Sequence, residues 1–484
     1  MARDASVVRQ VVLLLIDGIR PEILETLFSR GDLPSLARLF GENGRVHRLC
    51  SVFPSTTGPA HLPFLTGRYP GPCNVPGIRW FDPERFAASV ISPHRFRSYI
   101  GPGALWLNRD LSRAVGTAFE AVGDHACAGS HLRRGLRASR NLTRWSKLRE
   151  PIISYFTEEW DRFDRCTGSA VARAVASGTA LVFGALFSAD SHGHKWGAFH
   201  PRTLESYRRI DLALSDVADV VSRMTADARP LVLLVSDHGQ SDTRAHLDLH
   251  QLVERVVGRC LAHPAIWHGY LNAAAAVMVS GNAMAHVYLR GRRWGEPQFL
   301  DTPSAEASRL VDAVLAETAV DQVIGRSSQG GAVVLSRSGC ARLTRTEAGL
   351  AFDATAGADP FSYPAQIRGT HDDRRWLELT WDTEYPDALT QVLQILESPR
   401  SGHLIVTARP GFDLRARFEK PRHAGSHGSL HRDHMMTPLM SSRRLLVRPR
   451  RTVDIYPTLL DALGQPIPPG LDGRSLWPAP GTPA

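Results

Sequence analysis

Val11-Val12-Leu13-Leu14-Leu15-Ile16-Asp17-Gly18 places a carboxylate directly after six consecutive apolar residues. An uninterrupted apolar run of this length is typical of a strand that is buried on both faces. A helix is expected next, since Pro21 suits a first helical turn and Leu24, Leu27 and Phe28 form an apolar stripe. The segment therefore predicts the first strand, turn and helix of an α/β fold.

The same pattern returns further along the chain. Residues 180–187 and 230–235 are again apolar runs, and residues 203–224 between them have the spacing of an amphipathic helix. Strands that alternate with helices predict a mainly parallel central sheet with helices on both faces. The predicted fold class is therefore α/β.

Carboxylates follow each of the three predicted strands, as Asp17, Asp190 and Asp237. In open parallel sheets the reactive groups gather beyond the carboxyl ends of the strands. We therefore expect one site at this edge of the sheet rather than three separate ones.

The middle of the chain changes in character, with short β-like pieces separated by Gly and Ser. We predict an inserted α+β subdomain over residues 260–400 and a catalytic core made of residues 1–259 and 401–484. His403-Leu404-Ile405-Val406 is interpreted as the strand that returns to the core beside strand 180–187. Residues 99–175 carry few strand signals and are expected to form helices over the sheet edge.

The amino-acid composition limits the classes to which the protein can belong. Hydrophobic residues make up 43% and charged residues 22% of the 484 residues, which suits a globular protein with a sizeable core. The net charge of +9 fits either an anionic partner or the general basic bias of an Arg-rich chain. No basic-aromatic cluster indicates nucleic-acid binding, and no Cys spacing indicates a disulfide framework or a Cys-type zinc site. With no apolar run near 18 residues and no signal peptide recognised, a cytoplasmic protein without a membrane span is expected.

Histidines accompany the carboxylates at spacings that suit metal ligands. Asp237-His238 follows a strand directly, and Asp190 and His194 are four residues apart, so one helical turn can face both to one ion. His192 between them is expected to point elsewhere, and His427 lies in a late Ser-His-Gly segment. Each piece alone has a structural alternative, such as a helix cap or a surface His. Their joint occurrence at strand ends indicates two sites with N and O ligands.

Thr57 adds a hydroxyl to this set. Gly58 permits a sharp turn and Pro59 suits the first position of a helix, so Thr57 is placed at a helix start. A metal would lower the pKa of such a hydroxyl and make it a nucleophile. The structural alternative is that Thr57 only caps the helix.

These segments resemble the alkaline phosphatase superfamily, specifically its nucleotide pyrophosphatase/phosphodiesterase branch. The resemblance covers residues 10–430 in order and rough spacing. The matching segments are the Asp17-Gly18 turn, the nucleophile segment from Phe53 to His61, Thr66 to Pro70, Asp190 to His194, Ser236 to Gly239 and His427-Gly428.

The resemblance implies a metal-dependent hydrolase of phosphodiester or nucleotide pyrophosphate bonds that acts through a phospho-threonine at Thr57. It implies two divalent metal ions, Zn²⁺ first and Mn²⁺ as an alternative, and a small anionic phosphate-ester substrate. One ion would be held by Asp190, His194 and His427. The other would be held by Asp17, Asp237 and His238 together with Thr57.

One departure from the family concerns the phosphoryl-oxygen ligand. Relatives place an Asn some twenty residues after the nucleophile, whereas this chain has Arg79 near that position and Asn74 earlier. A guanidinium can hold a phosphoryl group bidentately, which would favour a more anionic group such as a monoester. Both Asn74 and Arg79 are kept as candidate substrate-binding residues, and Trp80 is expected in the core.

Other functions remain possible on the same fold. A phosphomonoesterase or a phosphoryl or phospho-head-group transferase could use the same site. A sulfatase is disfavoured because the Cys/Ser-x-Pro-x-Arg segment is missing around Thr57. A silent binding protein is disfavoured because all six metal ligands and the hydroxyl are present.

Overall fold

The computed structural model describes residues 7–89, 95–143, 160–262, 272–419, 422–446 and 450–478. In chain order, the strands of the described residues are β1 (Val11–Ile16), β2 (His47–Cys50), β3 (Arg79–Phe81), β4 (Phe96–Ser98), β5 (His125–Ala128), β6 (Leu181–Leu186), β7 (Leu231–Val235), β8 (Ser241–His246), β9 (Cys260–Ala262), β10 (Ala275–Ser280), β11 (Met284–Leu289), β12 (Val320–Arg326), β13 (Ala332–Ser336), β14 (Gly339–Thr346), β15 (Gly349–Gly357), β16 (Gly369–His371), β17 (Leu404–Ala408), β18 (Gly411–Asp413), β19 (Gly425–Ser426) and β20 (Met436–Ser441).

The α-helices of the same residues are α1 (Pro21–Ser29), α2 (Pro34–Phe40), α3 (Leu62–Thr66), α4 (Pro83–Ala88), α5 (Leu107–Asp110), α6 (Ala118–Ala121), α7 (Trp160–Ala176), α8 (Ser188–Trp196), α9 (Pro201–Ala213), α10 (Ser215–Ser222), α11 (Leu249–Val257), α12 (Ala305–Ala316), α13 (Asp373–Thr380), α14 (Ala388–Ile395), α15 (Arg432–Met435) and α16 (Ile455–Ala462). None of these described helices is both long and apolar enough to cross a lipid bilayer.

The central sheet has the strand order β2-β20-β7-β1-β6-β5. Strands β7, β1, β6 and β5 run parallel to one another. At one edge β20 pairs antiparallel with β7, and β2 pairs antiparallel with β20 and so runs in the same direction as the parallel strands. The predicted mainly parallel α/β sheet is therefore confirmed.

Burial on both faces explains why β1 is a continuous apolar run. Leu13 and Leu15 pack on one side, in a core that includes residues of α3, α6 and α16. Leu14 and Ile16 pack on the other side, in a core that includes residues of α1, α2, α7 and α9. Successive side chains of a strand point to opposite faces, so a strand covered on both faces has no solvent-facing position for a polar side chain.

A second sheet has the order β16-β15-β14-β13-β12-β17-β11-β10-β9 and lies between the two halves of the core in sequence. The prediction that residues 403–406 return to the central sheet is wrong, because β17 lies between β12 and β11 of this second sheet. The returning strand is β20, which pairs with β7 and β2. An apolar run buried on both faces suits a central strand of either sheet, so the pattern of β17 does not reveal which one it joins. The proposed subdomain limits at residues 260 and 400 stay predictions.

Two smaller differences have local causes. The helix expected over 203–224 is two helices, α9 and α10, which meet at Leu214. Residues 125–128, expected among helices, form the edge strand β5, which is too short to show a clear period. Residues 144–159 of the same stretch lie outside the described residues.

Asp164 on α7 fixes the start of helix α8. Its carboxylate accepts hydrogen bonds from the backbone N–H of Phe187 (2.8 Å) and Ser188 (3.0 Å). Asp164 is 1% exposed, and burial raises its pKa to about 6 although these hydrogen bonds oppose the shift. The group that orients α8 is therefore costly to ionise.

Substitution Asp164→Asn should change how stability depends on pH. Because the folded-state pKa lies above the unfolded value, the folded wild type binds more protons, and its free energy of unfolding falls as pH rises from about 4 through 6. The Asn variant lacks this titration. Its free energy of unfolding relative to wild type should rise by about 2 kcal/mol between pH 4.5 and 7.5 in urea titrations. A difference that stays constant over this range would contradict the assignment.

Candidate active site

Strand register brings the three carboxylates together. In the β1–β7 pair Leu15 lies opposite Val235, and continuing the register by two residues places Asp17 opposite Asp237. In the β1–β6 pair Ile16 lies opposite Leu186, so Asp190 follows in the first turn of α8. The predicted convergence at one sheet edge is what the structure shows.

Gly18 makes this convergence possible. Its φ is +68°, and a Cβ built there would lie 2.7 Å from both Cβ and Oδ1 of Asp190. A side chain at this position would collide with the carboxylate and strain the turn. The Gly18 N–H donates to Asp237 Oδ1 at 3.3 Å, so the same turn also orients the third carboxylate.

Asp190, His194 and His427 form what we call the first ligand set. The two Nε2 atoms of the histidines are 3.0 Å apart, and Asp190 oxygens lie 3.4 Å from His194 Nε2 and 3.8 Å from His427 Nε2. Each Nδ1 faces a backbone carbonyl, at Gly425 for His194 and at Ser55 for His427, both at 2.9 Å. This fixes the protons on Nδ1 and leaves both Nε2 lone pairs directed at a common point.

His427 of the first ligand set favours the neutral imidazole form. Burial, then the neighbouring His238 and His194, lower the pKa of His427 well below its ordinary value. Neutral imidazole is the form that binds metal ions. Two facing lone pairs next to a carboxylate therefore fit a divalent cation.

Asp17, Asp237 and His238 form the second ligand set. His238 Nε2 lies 3.3 Å from Asp17 Oδ1 and 3.4 Å from Asp237 Oδ2. Thr57 Oγ1 lies 3.2 Å from both Asp17 oxygens and 3.1 Å from His238 Nε2. The hydroxyl therefore lies close enough to contact a cation bound by this set.

Charge and unsatisfied atoms at the second set also fit a cation. Burial, followed by the Asp237 and Asp190 carboxylates, raises the pKa of Asp17 well above its ordinary value. Asp237 Oδ2 is buried and accepts no well-aligned hydrogen bond from the described residues, although His61 Nε2 lies 3.2 Å from it. Buried carboxylates of this kind require a compensating charge, and the mixed N and O donors suit zinc.

His61 belongs to the same group of side chains and was not predicted. It is fully buried, and its Nε2 lies 3.2 Å from Asp237 Oδ2 and 3.8 Å from Asp17 Oδ2. Its position four residues after Thr57 was visible in the sequence, but nothing there separated it from a packed histidine.

Gln240 is a second residue that sequence reasoning missed. Its Nε2 donates to Asp190 Oδ1 at 3.1 Å and so orients a member of the first ligand set. A Cβ on Gly193 would overlap the Gln240 side-chain oxygen at 1.6 Å, so a glycine on α8 makes room for this contact. The signal was its place directly after Ser236 to Gly239.

The segment that leads to Thr57 is held by helix α14, which packs against the second sheet. Gln391 Oε1 accepts from the Phe53 N–H at 2.9 Å, and Gln394 Nε2 donates to the Phe53 carbonyl at 2.6 Å. Beyond it Gly58 (φ +97°) turns the chain into a short 3-10 turn that starts at Pro59 and leads into α3. Both backbone polar groups of Phe53, four residues before Thr57, are therefore fixed by buried side chains.

The two candidate phosphoryl ligands have other partners. Asn74 Oδ1 accepts from Ser398 Oγ at 2.8 Å. Arg79 Nη1 donates to Glu419 Oε2 at 2.6 Å. No described hydrogen bond or ion pair joins either residue to a ligand set, so their substrate contacts stay predictions. Trp80 is 1% exposed and packs in the core, as expected.

His192 lies away from both ligand sets. Its Nδ1 faces the Arg202 carbonyl at 3.3 Å, and the residue lines an outer cavity with Lys195 and Trp196. The neighbouring His194 on the same helix points inward. His194 therefore lies on the inner face of α8 and His192 on its outer face.

Solved structures with the same architecture include two hydrolase types. Phosphonoacetate hydrolase from Sinorhizobium meliloti 1021, in complex with phosphonoacetate, superposes with a TM-score of 0.57 at 16% identity and covers 94% of this chain and 95% of its own. Human ectonucleotide pyrophosphatase/phosphodiesterase 5 gives 0.57 at 13% identity, with 96% and 97% covered. At these identities the likeness concerns the fold.

Sequence comparison identifies the family. An uncharacterised pyrophosphatase/phosphodiesterase of Schizosaccharomyces pombe is 23% identical over 240 residues, which are 48% of this chain and 45% of the yeast protein. The match thus spans a little under half the length of that relative. Residues 11–430 match the model of the type I phosphodiesterase/nucleotide pyrophosphatase family, so the match includes both ligand sets and Thr57. The chain belongs to the type I phosphodiesterase/nucleotide pyrophosphatase family.

Proposed function

We propose that this protein hydrolyses phosphate esters, phosphodiester or nucleotide pyrophosphate bonds, with Thr57 as the nucleophile and two divalent metal ions as cofactors. The observation that carries the proposal is the position of Thr57 Oγ1, which lies 3.1 Å from His238 Nε2 and 3.2 Å from each Asp17 oxygen. Membership of the family and the fold shared with two hydrolases support it.

The two ligand sets would hold the ions, Zn²⁺ first and Mn²⁺ as an alternative. Bound there, such ions lower the pKa of a hydroxyl or water and neutralise charge on phosphoryl oxygens. The residues of this chain position the reacting groups. Asp17 and His238 hold Thr57 Oγ1, and Gly425 and Ser55 carbonyls keep the ligating face of His194 and His427 free of protons.

The reaction consists of two displacements at phosphorus. Thr57 Oγ1 gives up its proton and attacks, the bond from phosphorus to the leaving oxygen breaks, and that oxygen gains a proton. Water then attacks the phospho-threonine, the bond from phosphorus to Oγ1 breaks, and Thr57 is protonated again. Attacking and leaving oxygens lie roughly in line across the phosphorus in each step.

The number of bound metal ions should depend on His194, on the inner face of helix α8, and not on His192, on its outer face. Wild type reconstituted with zinc and passed through gel filtration should carry about two ions per chain, because each ligand set offers three donors. His194→Ala should lower this to about one. His192→Ala is the matched control, since it removes the same side chain from the outer face of the same helix, and should keep both ions.

Elemental analysis checks this prediction. The metal-free protein should also unfold at a lower temperature, because its buried carboxylates lose their compensating charge. A wild type that binds neither zinc nor manganese, or equal losses in the two variants, would refute the assignment.

Substitution of Thr57 should remove most of the hydrolytic activity. Thr57→Ala should reduce hydrolysis of bis(4-nitrophenyl) phosphate on the order of a thousandfold with metal content unchanged, and Thr57→Ser should retain part of the rate because the attacking oxygen survives. Thr56→Val removes the adjacent buried hydroxyl at constant shape and should stay within a few-fold of wild type.

The covalent intermediate gives a second measurement. Acid quench during turnover followed by mass spectrometry should find the phosphoryl group on the peptide that contains Thr57. A Thr57→Ala variant near the wild-type rate, or a loss seen instead in Thr56→Val, would show that another oxygen attacks.

A further inference from the structure

Two buried arginines share one carboxylate outside the ligand sets. Arg79 Nη1 donates to Glu419 Oε2 at 2.6 Å, and Arg415 Nε lies 3.9 Å from the same oxygen. Their side chains are only 12%, 10% and 6% exposed, for Arg79, Arg415 and Glu419 respectively. We call these three residues the arginine cluster.

His423 connects the arginine cluster to the first ligand set. Its ring centre lies 4.4 Å from that of His194, and its Nδ1 is 2.9 Å from Asn282 Nδ2. Asn282 in turn forms a β-bridge with His427. Leu414, the residue before Arg415, donates its backbone N–H to the Asn282 carbonyl at 2.8 Å. Ile78, the residue before Arg79, donates its N–H to Ser280 Oγ at 2.9 Å, so both arginines follow residues that are bonded to the 280–282 turn beside His427. The cluster therefore flanks the Asp190, His194 and His427 side of the site.

The direction of nucleophilic attack indicates which part of the substrate faces the arginine cluster. Thr57 lies against the second ligand set, at Asp17 and His238. In an in-line displacement the leaving group departs on the side opposite the nucleophile. The leaving group is then directed towards the first ligand set and the arginine cluster beside it.

Glu419 does not satisfy every donor of Arg79. Two guanidinium groups face Glu419, and Arg79 Nε is buried with no hydrogen-bond partner among the described residues. The neighbouring Asp413 accepts from the Arg415 backbone N–H at 3.3 Å and is paired with His246 Nδ1 at 2.8 Å. A buried donor without a partner is costly, and an anionic ligand group would satisfy it.

We propose that Arg79 and Arg415, held in place by Glu419, bind a second anionic group carried by the leaving group of the substrate. The preferred substrates are then phosphate esters whose departing alcohol bears a carboxylate or a phosphate of its own. This inference rests on the proposed function, because the side on which the leaving group departs follows from attack by Thr57. Within it, Arg79 recognises the departing group rather than the phosphoryl oxygens.

A pair of matched substrates tests the proposal. Methyl 3-carboxyphenyl phosphate and its carboxylate methyl ester share the scissile bond and the ring and differ in one negative charge. Zinc-loaded wild type should show kcat/KM at least tenfold higher for the carboxylate. Arg79→Gln and Arg415→Gln should each abolish most of this ratio, because kcat/KM falls much further for the carboxylate than for the neutral ester.

Arg417→Gln is the matched control, because Arg417 lies two residues from Arg415 on the same segment, is 56% exposed and pairs with Asp248. It should leave the ratio unchanged. Arg79→Lys and Arg415→Lys keep the charge and should retain part of the ratio, which guards against variants that fail to fold. Equal losses on both substrates, or a wild type without preference, would overturn the proposal.

Binding separates this proposal from the proposed function. Calorimetry with benzylphosphonate and 3-carboxybenzylphosphonate needs no turnover, and the carboxylate should tighten binding about tenfold in wild type and not in the Gln variants. If neither ester is hydrolysed while this gain is present, the hydrolase proposal fails and the anion site stands; if the gain is absent, the anion site fails. A third ligand with a phosphonate in place of the carboxylate shows which anion binds more tightly.

Discussion

Three carboxylates gathered beyond the ends of neighbouring parallel strands, Asp17 and Asp237 buried and Asp190 partly exposed, are the constraint on which the site depends. Strand register sets Asp17 opposite Asp237, and the first turn of α8 brings Asp190 against Gly18. Like charges at this distance in a buried place oppose folding unless cations or protons neutralise them. The histidines and Thr57 are arranged around that charge, so the feature that most opposes folding is also the one that creates the chemistry.

The second sheet contributes to the site as well as to the fold. Helix α14 supplies Gln391 and Gln394, which fix the backbone N–H and the carbonyl of Phe53. The segment after β18 supplies Arg415, Glu419 and His423 on the opposite flank. The parallel sheet thus sets the edge at which we propose that metal ions bind. The residues around the second sheet hold the segment that leads to Thr57, the proposed nucleophile, and lie on the side from which a leaving group would depart.

Much of this arrangement could be predicted from the sequence, and the misses have physical reasons. Apolar runs buried on both faces predicted β1, β6 and β7, and a carboxylate after each run predicted a common edge. The same reasoning misplaced β17, because burial on both faces does not say which sheet a strand joins. His61, Gln240 and His423 act through contacts between distant segments, and no local spacing distinguishes such residues from packed polar side chains.

The central claim is that the two ligand sets hold two metal ions beside Thr57. Anomalous diffraction from crystals grown with zinc, with data collected above and below the zinc absorption edge, tests it most directly. The account predicts two peaks, one within roughly 2.0–2.2 Å of donors from Asp190, His194 and His427, and one at the same range from Asp17, Asp237 and His238. Absence of both peaks, or ions bound by other residues, would contradict it.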